Sequence, residues 1–167
     1  MEFSKKDRLF LKNQYEILSR LDGENSSNYQ EKIEILEQGY EVHYEEYFDL
    51  EDDFPEESSR LVIDTLDLYS VLKSSYDSLT ETNLSERDIN FLGFDGNHET
   101  EHMVYTKFFV ETLGRFTELQ SEDRFRGYNS HMPMVSSYYN MVNKWKDELK
   151  QKRDLSEDEI KMILSAR

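Results

Sequence analysis

The stretch PEESSRLVIDTLDLYSVLKSSYDSL, Pro55 to Leu79, decides the fold class. Pro55 suits the first turn of a helix, where the N–H it lacks would have no partner. Glu56 and Glu57 follow it, and carboxylates are favoured at the positive end of the helix dipole. Leu61, Leu68, Leu72, Tyr76 and Leu79 then recur at spacings of three, four and seven, the pattern of a helix with one buried face. No residue in the run demands a turn before Leu79.

The same pattern repeats in both directions along the chain. Toward the N-terminus, Ser4 and Asp7 make a capping box that opens a helix over Ser4 to Leu21, with Leu11, Tyr15, Leu18 and Leu21 as its apolar stripe. Asp22 to Ser27 reads as a turn. A second helix carries Tyr29, Ile33 and Leu36 and stops at Gly39, a residue suited to the position just past a helix end. Tyr40, Tyr44, Tyr47 and Phe48 suggest a further short helical segment.

Toward the C-terminus, a short helix is expected from Ser85 to about Gly93, and a long one from Gly96 to about Leu119. The face of that long helix reads His98, His102, Tyr105, Phe109 and Phe116. Gln120 to Met132 is the longest irregular stretch. Pro133 opens a helix through Tyr138, Met141, Val142, Trp145 and Leu149. Ser156 with Glu159 caps a last one, which buries Ile160, Ile163 and Leu164. No alternating strand pattern or repeat interrupts the series. The expectation is an all-α, single-domain bundle of seven or eight helices spanning residues 1–167.

Composition narrows the function. The formal charge of −16 repels phosphate backbones and anionic lipid surfaces, so neither direct DNA binding nor membrane association is expected. Without cysteine there is no disulfide, thiol nucleophile or thiolate metal ligand. With no signal-like or membrane-spanning apolar run, a cytoplasmic location is the default expectation. No cofactor is expected.

Two motifs carry possible chemistry. His98-Glu99-Thr100-Glu101-His102 is an H-E-x-x-H segment, in which two imidazoles four apart can share a zinc ion and the glutamate can act as general base. A third ligand is required, and Glu122 stands 20 residues after His102. With 36 acidic residues in the chain, a carboxylate near any chosen position is unremarkable. The stripe behind the two histidines also continues into aromatic core, so His98 and His102 are weak metal candidates. The second motif, Arg126 with His131, has the Arg-x4-His spacing seen in HEPN ribonucleases, which it resembles. That resemblance implies RNA cleavage, with the two side chains stabilising phosphate and moving protons. Gly127 stands where those enzymes usually place a polar residue.

A broader resemblance spans the whole chain. Arg8-Leu9, Asn13-Gln14-Tyr15, Leu21-Asp22, Gly39-Tyr40, Arg60, Ile63-Asp64, Tyr69, Phe91-Leu92-Gly93-Phe94-Asp95, Glu99, Tyr105, Gly114-Arg115, Thr117, Asn129, Pro133-Met134, Asn143, Trp145, Leu155-Ser156 and Glu159-Ile160 follow in an order and spacing that resembles the YfbU family. The resemblance implies an all-helical domain of this length. Some relatives carry it beside a DNA-binding domain, which implies a sensing or interaction role; no such neighbour is expected in this chain. In that pattern Glu99 and Tyr105 fit, whereas His98 and His102 stand where relatives can carry Thr and Tyr, neither of which replaces an imidazole ligand.

The function expected is therefore ligand or protein binding, or regulation, without catalysis. Arg8, Asn13, Gln14, Asp64, Asp95, Arg115 and Asn129 are the candidate binding residues. They form either a pocket for a small molecule or an internal network that pairs buried charges. The aromatic-rich segment 133–149 offers a face for a second copy of the chain, as a homodimer.

Overall fold

The computed structural model describes residues 2–45, 53–120 and 127–167, and its backbone there is helical. Six α-helices occur among the described residues: α1 (Lys5–Leu21), α2 (Ser26–Gln38), α3 (Glu56–Ser78), α4 (Thr100–Lys107), α5 (Val135–Asp147) and α6 (Glu157–Leu164). Among the described residues this is fewer than the expected seven or eight, and the segment opened by Ser85 is a single 3-10 turn, Glu86–Asp88. Tyr40 leads into a 3-10 turn, Glu41–His43, and Tyr44 and Glu45 are helical as expected, while Tyr47 and Phe48 lie outside the described residues.

The chain forms two units, Met1–Asp53 and Phe54–Arg167. In the first, α1 and α2 pack as a hairpin. Ser4 accepts from the Asp7 backbone N–H and Asp7 bonds back to Ser4, so the expected capping box is present. Gly39 ends α2 in the left-handed region at φ +75°. The core is small: Ile35, Leu36 and Tyr44, with Phe3, Leu11 and Tyr15 packed against them. The stripe expected for α1 is only half right. No residue of α1 is buried, and Leu21 remains 78% exposed. Leu11 and Tyr15 face α2, while Phe10, Ile17 and Leu21 face outward.

The second unit is built around α3. Its buried side is wider than the sequence stripe, adding Val62, Thr65, Leu66, Tyr69, Val71 and Ser75 to Leu68 and Leu72. Helices on more than one side account for this: a helix enclosed over a wide arc loses the one-sided periodicity by which faces are read. Tyr138, Met141, Val142 and Trp145 of α5 and Ile160 and Ile163 of α6 complete the core. At roughly 1.5–3 kcal/mol for each fully buried apolar side chain, this cluster dominates the stability of the unit. The aromatic side chains Tyr138 and Trp145 therefore point inward, and of the α5 aromatics only Tyr139 is exposed.

The long helix expected after Gly96 is shorter and broken. It starts at Thr100, widens into a π turn at Phe108–Thr112, and stops before Gly114. A 3-10 turn, Thr117–Leu119, follows. The described chain also contains one parallel β-bridge, Phe94 with Asn129, where the sequence showed no strand. No helix among the described residues is long and apolar enough to cross a membrane.

Candidate functional site

Two polar arrangements adjoin each other in the second unit: a buried cluster at the start of α4 and an open groove between α3 and α5. The cluster begins with the turn Phe91–Asp95. Gly93 sits at φ +85°, and a β-carbon there would lie 1.8 Å from the Tyr128 carbonyl oxygen. Only glycine allows the two segments to approach so closely. Phe94 N–H donates to the Tyr128 carbonyl at 2.9 Å, and Ser130 N–H to the Phe94 carbonyl at 3.0 Å. The Asn129 side-chain oxygen accepts from the backbone of Gly96 at 3.0 Å and of His131 at 2.9 Å.

Asp95 and Glu99 are both buried here. Asp95 accepts from the Asn97 backbone at 3.1 Å and from His98 Nδ1 at 2.6 Å. The His98 bond, with the Asn97 N–H behind it, holds the Asp95 carboxyl below its ordinary pKa. Glu99 reaches 35 residues along the chain. It accepts from the backbone N–H groups of Met134 and Val135 at 2.8 Å each, and from that of Asp95 at 3.1 Å. A buried carboxylate thus occupies the amino end of α5, where free N–H groups and the helix dipole favour an anion.

This geometry reassigns the H-E-x-x-H segment. His98 lies in a turn before α4, with its ring exposed, and Glu99 is the residue that precedes the helix. His102, on the first turn of α4, packs its ring against Phe54 at 5.2 Å and Phe94 at 5.4 Å. Burial pushes its pKa down, so the imidazole is neutral at neutral pH. The two imidazoles face different surroundings, and the would-be general base is saturated by backbone donors. Glu122 lies outside the described residues, among which no cluster of three His, Asp or Glu is arranged to hold a metal.

The groove has a volume of about 890 Å³. Glu56, Arg60, Leu61 and Asp64 line it from α3, and Ser136, Tyr139, Asn140, Asn143 and Lys146 from α5. His102 and Val135 close the end next to the Glu99 cluster. Two ion pairs set its charge: Lys146 with Asp64 at 2.5 Å, and Arg60 with Glu56 at 2.6 Å. The Arg60 pair is exposed, where such pairs contribute at most about 1 kcal/mol, and the Lys146 pair is half-buried. Tyr139 and the two asparagines add an aromatic face and amide groups.

The seven candidate binding residues do not meet at one place. Asp64 lies in the groove, and Asp95 and Asn129 in the buried cluster. Arg115 is exposed, its guanidinium 6.0 Å from the Phe109 ring. In the first unit, Arg8 donates to the Leu36 carbonyl at 3.1 Å and so caps the end of α2, while Asn13 and Gln14 are exposed. Arg126 lies outside the described residues. His131 is exposed in a turn at φ +56°, its backbone held by Asn129. Sequence reasoning missed Ser136, Tyr139, Asn140 and Lys146. Their spacing of three, four and seven on α5, opposite the buried stripe, is the signal that could have found them.

The comparisons with known proteins cover the sequence of both units. A family model described as the YfbU domain matches residues 1–166. The chain is 37% identical to the UPF0304 protein MJECS11 of Methanocaldococcus jannaschii over 171 residues, covering 98% of this chain and 99% of that protein.

Proposed function

The chain belongs to the YfbU family, and we propose that it acts there as a binding module, with the α3–α5 groove as the site that takes a ligand. The observation that carries this reading is the make-up of the groove: a concave site with an aromatic wall, amides, and charges of both signs at its rim. A small polar molecule or a short peptide segment bearing both an ammonium and a carboxylate fits that lining. Its carboxylate would take Lys146 from Asp64, and its ammonium would then meet the released carboxylate.

The reading is non-catalytic. His102 is packed between two aromatic rings, and Asp64 is paired with a lysine, so neither is set against a nucleophile in the manner of a general base. Regulation by ligand occupancy follows naturally for such a module.

The test is a ¹⁵N–¹H titration of the full chain with free amino acids and with di- and tripeptides at millimolar concentration. Shifts confined to Asn140, Asn143, Lys146 and their α3 neighbours are expected, and they should weaken in Lys146→Met. No shift with any of these probes, or shifts elsewhere only, would remove the groove as the site.

A further inference from the structure

Two exposed helix faces in this chain carry opposite charge patterns. On α1, Lys6, Phe10, Asn13, Ile17 and Arg20 follow at spacings of four, three, four and three, which puts them on one stripe. All five are exposed, Phe10 at 65% and Ile17 at 52%. The stripe is apolar in the middle and cationic at both ends. Neither Lys6 nor Arg20 has an ion-pair partner among the described residues. The other face is on α4 and its π turn, where Glu101, Val104, Phe108 and Glu111 follow at spacings of three, four and three. All four are exposed, Val104 at 55% and Phe108 at 42%. Taken in chain order, the exposed positions of this segment are apolar in the middle and anionic at both ends.

The local charge makes the α1 face distinctive. α1 carries five basic residues and two acidic ones, within a chain whose formal charge is −16. At a rise of about 1.5 Å per residue, the α1 cations stand roughly 21 Å apart along the axis, and the Glu101 and Glu111 carboxylates, with a π turn between them, at most roughly 15 Å. Lysine and arginine side chains are long enough to lean inward over that difference. Each sign pattern is the same read from either end, so the two helices match whether they run parallel or antiparallel.

We propose that the α1 face of one copy of this chain docks on the α4 face of a second copy. The occupant is the chain itself because the complementary stripe lies on the same sequence. Two different surfaces meet, so the contact is heterologous, and it closes when each copy gives α1 and receives on α4, as a reciprocal pair or a small ring. Phe10 and Ile17 against Val104 and Phe108 supply the apolar centre, and Lys6 and Arg20 against Glu101 and Glu111 supply the register.

The test is sedimentation equilibrium of the full chain from ten to several hundred micromolar, for the wild type, K6E/R20E and E101K/E111K. The wild type should be heavier than a monomer. Each variant alone sets like charges against each other and should be monomeric, with its far-UV circular dichroism unchanged because all four positions are exposed. Mixed in equal amounts, the two variants restore every pairing and should assemble together again. A monomeric wild type overturns the proposal, as does either variant keeping the wild-type mass. Two folded variants that fail to combine also overturn it. Should one of them not fold, Ile17→Ser and Phe108→Ser replace the pair, and each must dissociate the wild-type assembly if the proposal holds.

Discussion

Glu99 and Val135 are 36 residues apart in sequence and joined by a 2.8 Å bond from the Val135 backbone N–H to the Glu99 carboxylate. With the Met134 and Asp95 donors, that carboxylate accepts from three backbone groups. Its part is structural, and it sets where α5 begins relative to α4.

Glu99→Ala should lower the unfolding free energy by about 2–3 kcal/mol, because it leaves buried donors without an acceptor. Glu99→Gln keeps one side-chain oxygen and should lose less. Urea unfolding followed by circular dichroism measures both. A loss below about 0.5 kcal/mol for the alanine variant would show that the cap carries little weight.

Gly93→Ala should be worse. A β-carbon would collide with the Tyr128 carbonyl, and the left-handed φ is itself costly for alanine. A cost of about 3 kcal/mol or more is expected, read as a lower urea midpoint or a failure to fold. Retention of the wild-type midpoint would mean that the two backbones separate at little cost.

The Tyr138 hydroxyl is buried beside Tyr69 and the Leu92 backbone, but makes no hydrogen bond of normal geometry among the described residues. Tyr138→Phe should therefore be neutral or raise stability by about 1 kcal/mol, since it removes an unpaired polar atom without opening a cavity. Burial pushes the Tyr138 pKa well up and that of its neighbour Tyr69 up to about 12. An absorbance titration should show these two phenols ionising only when the protein unfolds in alkali.

Acid should destabilise the protein in two steps. His102 has a lowered folded pKa, so its unfolded form binds a proton first. The stability it contributes is complete above its ordinary value and falls as the pH drops through that value toward the lowered one. Asp95 is also held low when folded, so its contribution is present above the ordinary aspartate range and is lost below it. Stability measured against pH should decline first in the histidine range and again in the carboxylate range. His102→Gln should flatten the first decline, and Asp95→Asn the second.

Much of the helix set was legible because its signals are local. The Ser4–Asp7 and Ser156–Glu159 boxes, Gly39 after α2 and Pro133 before α5 all stand within a few residues of the boundary they mark. The break after Lys107 was not legible: the helical pattern runs on through Phe109 and Phe116, and nothing nearby forbids an α-turn. The site was legible in pieces. Asp64 was singled out, but its partner Lys146 lies 82 residues away, and no local rule brings the two together. H-E-x-x-H was a weak signal because motif spacing assumes a continuous helix, and here the helix begins after the first two of its residues.

The Glu99 bond also bears on how the protein folds. The first turn of α5 is completed by an acceptor that arrives only when a loop of more than thirty residues has closed. Closing such a loop costs entropy before any contact rewards it. A peptide cut from Met134 to Leu149 would lack that acceptor and should be largely unstructured in water at its amino end. In the whole chain, the amino end of α5 should form late, and mutations there should speed unfolding more than they slow folding.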